Sequence, residues 1–139
     1  MSFRHVEFHL GGTSVPIVTL TMTDSEAAVA GRLYKMTSGR PTKCTGSDTA
    51  VAYLCLESKN AGTNVTAQFE PILPGVVYEG SYTGTPDAAF VAGCLVADLD
   101  ANGDNIDAAD VTNGSLTVLS KDTTAATARV AFNRNLYAQ

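Results

Sequence analysis

One stretch of this chain is written twice, at an offset of about sixty residues, and a chain built from two copies of one motif has few folds open to it. Val29, Ala30, Gly31 and Leu33 recur as Val91, Ala92, Gly93 and Leu95. The same offset carries Asp48 onto Asp110, Leu54 onto Leu116, and Ser58 with Lys59 onto Ser120 with Lys121; one residue later, Phe69 lands on Phe132. Glycine, small residues and strand formers dominate what repeats, which is the vocabulary of a doubled β scaffold that presents surface. That favours a structural or binding role over an enzyme. In a chain rich in Ala, Val and Thr the alternative is coincidence, so the strand pattern has to stand by itself.

It does. Val6, Phe8 and Leu10 alternate with His5, Glu7 and His9, a strand with one apolar face that stops at Gly11 and Gly12. Val15 to Thr23 alternates again through Val18, Leu20 and Met22, and Pro16, which cannot donate to a ladder, places that end at an edge or outside the sheet. Residues 1–26 therefore read as an N-terminal arm or edge hairpin. Residues 27–139 read as one β-barrel-like domain of short strands, with turn residues every eight to twelve positions or so. Its strands are expected at Arg32 to Met36, Thr49 to Glu57, Asn64 to Glu70, Val76 to Tyr82, Phe90 to Leu99, Leu116 to Ser120 and Ala128 to Asn133. Both faces of Thr49 to Glu57 are apolar, so that strand is central and buried on both sides. The one helical candidate is a short turn over Asp24 to Ala30, capped by Asp24 or Ser25. The fold class is all-β, a small barrel or sandwich of short antiparallel strands.

Composition removes several functions. At 139 residues and 45% hydrophobic with 17% charged, the chain supports one core and is too apolar to be disordered. The net charge of −5, with nine basic residues spread singly, argues against phosphate backbones as partners. Cys44, Cys55 and Cys94 are odd in number and lack C-x-x-C spacing, so they read as small buried residues of a protein made in reducing cytosol. The charged start, Met1 to Phe8, does not read as a signal peptide, and no run is long enough to span a membrane.

The sharpest chemical motif is the acidic loop from Asp98 to Asp110. Asp98, Asp100, Asn102 and Asp104, with Gly103 at the sixth position, resemble a calcium loop, since that ion takes six to eight oxygen ligands. Against it, the aliphatic Ile106 comes one place late and Ala109 stands where the bidentate Glu belongs. The other reading is an exposed hairpin loop whose Asp and Asn bond their own backbone. His5 and His9 stand too far apart on a strand to hold one metal, no Ser sits in a nucleophile elbow, and Glu57, Glu70 and Glu79 form no evident pair. No catalytic constellation is found, and no cofactor is expected.

The order of motifs is nonetheless familiar. Val29, Ala30, Gly31, Arg32, Leu33 with Lys35, then Pro41 to Gly46, then Ala50 to Leu56, then Ala61, Gly62 and Val65 resemble the small head decoration, or cement, proteins of tailed bacteriophages. The likeness covers about Val15 to Phe132 and lies in pattern and order, with no diagnostic motif; Tyr53, Leu54 and Cys55 replace a common Gly, and the acidic loop is long. The resemblance implies a non-enzymatic protein, made in host cytoplasm and carried on the virion, that docks as a homotrimer on the major capsid protein and ties capsomers together. Phe3, Val6, Phe8 and Leu10 are the expected partner-binding anchors, pairing the arm with a neighbour's strand edge. The alternatives are a phage tail-tube or head-completion protein, and a calcium-dependent carbohydrate or adhesion module.

Overall fold

A computed structural model describes residues 3–8, 15–46, 48, 50–73 and 75–133, with the side chains of Glu7 and Phe8 excepted. Among the described residues eleven strands run in the order β1 (Arg4–Phe8), β2 (Val18–Thr21), β3 (Leu33–Thr37), β4 (Arg40–Lys43), β5 (Tyr53–Cys55), β6 (Thr66–Pro71), β7 (Val76–Thr83), β8 (Asp98–Leu99), β9 (Ile106–Asp107), β10 (Leu116–Asp122) and β11 (Thr127–Phe132). Among the described residues there is no helix. The protein is all-β, as its periodicity predicts.

The strands make two sheets. One has the order β2-β6-β5-β3-β4, antiparallel throughout. It curls until its two ends meet: Thr23 N–H donates to Pro41 O at 3.2 Å, and the Thr23 and Thr42 hydroxyls bond at 2.8 Å. Inside this half-barrel Tyr34 meets Phe69 edge-on at 5.4 Å, packed with Met22, Ala28, Cys55 and Ala67. Tyr34 brings a hydroxyl into that core, and both its roles are used: it donates to Ala27 O at 2.9 Å and accepts from Val29 N at 3.0 Å. Leu33 and Leu54 point the other way, into the larger core between the sheets. The expected doubly buried central strand is real, but only Tyr53–Cys55 of it pairs.

The second sheet has the order β10-β11-β7-β9-β8. One edge of β7 pairs β11; the other is shared end to end by β1, antiparallel, and β9, parallel. Tyr78 and Phe132 stack edge-on at 5.3 Å within the inter-sheet core.

The duplication survives in part. Leu54 and Phe69 lie on the adjacent strands β5 and β6 of one sheet, and Leu116 and Phe132 on the adjacent strands β10 and β11 of the other, so each copy contributes one antiparallel pair to a different sheet. Leu33 and Leu95 do not correspond: Leu33 is fully buried in β3, whereas Leu95 is 61% exposed and outside any strand.

Three local expectations are corrected. Asp24 to Ala30 is not helical; Ser25 has φ 66°, and the Asp24 carboxylate accepts from Asn64 N and Arg40, tying the two ends of the half-barrel together. Arg40 and Pro41, outside every expected strand, belong to edge strand β4, and the turn before it is Ser38-Gly39, both at positive φ as a two-residue type I′ hairpin demands. Phe90 to Leu99 is not one strand: the chain bends at Val91 to Gly93, and only Asp98–Leu99 pairs as β8.

Candidate interaction surface

Strand β1 is seated in its own chain. Phe3 is 3% exposed, its ring lying over Gly80 and 6.1 Å from that of Phe132, and Phe3 N–H donates to Gly31 O at 3.0 Å. That placement corrects its expected role as a partner anchor: the side chain is consumed by the inter-sheet core. Val6 is half-buried where the β1 register slips between His5 and Glu7. Phe8 pairs Val76 through its backbone; its side chain, together with Leu10 and His9, lies outside the described residues. Among the described residues β1 and β2 do not pair with each other: β1 joins one sheet and β2 the other.

Across the gap between the sheets, His5 Nδ1 stands 3.5 Å from Glu70 Oε1 on β6. Burial pushes the Glu70 carboxyl above its usual range, against the pull of His5. Phe3, Arg4, Leu54, Leu56 and Glu70 contribute to a shallow groove of about 370 Å³ there.

The acidic loop folds onto itself. Asp100 Oδ1 accepts from Asn102 N and Asp104 N, each at 3.0 Å, and its Oδ2 accepts from Asn105 Nδ2 at 2.9 Å. Burial raises the Asp100 pKa, but those donors together outweigh it and hold the carboxyl below its ordinary value. Asp104 turns away to grip Arg32 with both oxygens, at 2.8 and 3.0 Å. The calcium arrangement of Asp98, Asp100, Asn102 and Asp104 is therefore not assembled. Among the described residues no three His, Cys, Asp or Glu side chains gather to hold a metal.

Burial also decides the thiols. Cys44 is pushed up to about 12 and Cys55 is raised, both first by desolvation, so each stays protonated at neutral pH and is a poor nucleophile.

The surface feature missed by periodicity is a strip of aliphatic side chains. Val91, Leu95, Val96 and Leu119 are 46%, 61%, 41% and 36% exposed. The first three ride on residues 91–96, a flap laid along the outer edge of β10. Gly93 N donates to Val118 O and Val118 N to Cys94 O, both at 2.8 Å; the Asn133 side chain bonds Leu95 O; Gly114 N donates to Val96 O at 3.0 Å. Lys121 fastens the flap's base, its ammonium 2.8 Å from Phe90 O and over the Phe90 ring. These bonds present the aliphatic groups on fixed backbone. A clue was present in the run Val91-Ala92-Gly93-Cys94-Leu95-Val96, too apolar for a loop with nothing to meet.

Comparison with protein-family models, curated proteins and solved structures returns no match.

Proposed function

We propose that this chain is a non-enzymatic head decoration protein of the tailed-bacteriophage kind, which docks on the outer surface of an assembled capsid as a small homo-oligomer and braces neighbouring major capsid subunits. The single observation carrying this reading is the exposed strip of Val91, Leu95 and Val96, held out on a flap fastened to β10, with Leu119 of β10 itself. Large aliphatic side chains fixed in water are costly unless a partner covers them. The order of motifs in the chain supplies the kind of partner. Each contact can be weak, because many copies on one lattice bind by avidity.

Co-sedimentation with expanded heads of the cognate major capsid protein tests this. Wild type is expected to pellet with the heads, and Leu95→Asp to stay in the supernatant with an unchanged melting temperature. Equal pelleting of both removes the strip from the interface. Failure of wild type to bind heads overturns the function, and spontaneous polymerisation without heads points instead to a tube-forming virion protein.

A further inference from the structure

We propose that Asp98, Asp110 and Ser115 form a site for a hard divalent cation of the calcium class, distinct from the loop spacing visible in the sequence and independent of the docking function above. The argument begins with which way the side chains turn. Ala97 and Leu99 flank Asp98 and both face the core, so Asp98 turns to the opposite side of β8. Ala97 and Leu116 are bonded in both directions at 3.1 Å, and Leu116 also faces the core, which turns Ser115 to the same side as Asp98. Neither reaches water there: Asp98 is 4% and Ser115 2% exposed.

The segment that covers them is acidic. Asp98 N donates to Asp110 O at 3.1 Å, which brings Asp110 alongside, and Asp98 pairs with Asp107 in the β8–β9 ladder. The Asp98 and Asp110 carboxyl groups lie within hydrogen-bonding reach of each other. Asp110 Oδ1 is already engaged by Thr112 N and Thr112 Oγ1, at 3.0 and 2.7 Å. Asp98 Oδ1 and Ser115 Oγ, both buried, meet no protein hydrogen-bond partner.

Two carboxylates in contact need a positive charge between them. A shared proton would settle the Asp98–Asp110 contact and leave Asp98 Oδ1 and Ser115 Oγ unsatisfied. A cation accepting oxygen ligands from all three residues satisfies every group at once, its remaining positions filled by main-chain carbonyls and water. The all-oxygen donor set selects calcium over zinc or copper. With two carboxylates the site is weak, its Kd on the order of 10⁻⁴ to 10⁻³ M. Binding would fasten the covering segment to β8 and, through Gly114 N and Val96 O, to the base of the flap.

Thermal unfolding of the full chain decides it, in chelator and then in calcium at roughly tenfold excess over a millimolar Kd, with ionic strength matched by sodium chloride. Wild type is expected to gain roughly 4 °C. Asp98→Asn and Ser115→Ala should abolish the gain, and Asp104→Asn, outside the site, should keep it. Should Asp98→Asn fail to fold, Ser115→Ala carries the test. No gain in wild type, or an equal gain in Ser115→Ala, overturns the site. So does a melting temperature indifferent to calcium that rises as pH falls through about 6, which identifies a shared proton instead.

Discussion

Gly114 and Gly39 separate steric necessity from conformational preference, and the same alanine substitution at each should give very different results. A Cβ on Gly114 would sit 2.7 Å from Asp98 N and nearer still to the Ala97 carbonyl. All of these atoms are backbone, so no side chain can swing aside. The segment would have to withdraw, giving up Gly114 N to Val96 O at 3.0 Å and the paired Ala97–Leu116 bonds at 3.1 Å. Three backbone bonds beside the fully buried Ala97 and Leu116, each costing about 1–1.5 kcal/mol net and more if its groups stay unsatisfied, sum to about 3–5 kcal/mol. That is comparable with the whole stability of a domain this size. At Gly39, φ is +78° and nothing lies within 4 Å of an added Cβ, so the cost is the left-handed backbone alone, about 1 kcal/mol. Urea unfolding of both variants, checked for equal m-values, measures the two costs. If Gly114→Ala unfolds within about 1 kcal/mol of Gly39→Ala, the close approach of residues 114 and 97 is wrong, and with it the placement of Ser115 beside Asp98.

Other outcomes follow from single contacts. Asp104→Asn leaves the Arg32 guanidinium, 18% exposed, without its two-oxygen partner; a loss of about 1–2 kcal/mol is expected in urea, and no loss would show the pair to be neutral. Phe3→Ala should cost about 2–4 kcal/mol and speed amide exchange across Arg4–Phe8 more than in β11, whereas unchanged exchange would place Phe3 outside the core. In chelator, burial first and then the Asp110 charge push Asp98 up to about 6 from 3.8, so the folded state holds a proton that the unfolded state has released. The stabilisation from that proton is complete below about pH 4 and is lost as pH rises towards and through about 6, on the order of 2–3 kcal/mol in all. Asp98→Asn should flatten that slope, and an unaltered slope would assign it to another group.

Strand existence was readable because period-two alternation is local: Ala67 and Phe69 turn inward from β6 wherever the sheet sits, and Val130 and Phe132 do the same from β11. Partner choice was not. Phe3, near the start of a strand with one apolar face, reads as a free anchor until β1 is laid on β7, because only that pairing brings Gly80 and Phe132 beneath its ring. The flap misleads for the opposite reason. Its residues have strand composition, and the bend at Gly93, with φ 97°, together with bonds to Val118 more than twenty positions away, decides that they lie along an edge and face outward. In the acidic loop the spacing of oxygens is visible, but the bidentate grip of Arg32 on Asp104 joins residues 72 apart and redirects the loop.

By itself the sequence determined that this chain is all-β and that strands run close to Leu33–Thr37, Thr66–Pro71, Val76–Thr83, Leu116–Asp122 and Thr127–Phe132, because period-two alternation depends on neighbours one and two residues away. The tertiary structure alone decided that the first sheet curls until Thr23 meets Pro41, that Phe3 is core and Leu95 surface, and that Asp98 and Ser115 are both buried with Asp110 O bonded beside them. Those facts turn on which distant segments touch, and contact between distant segments is settled by burying both sheets at once, a condition that no short stretch of the chain contains.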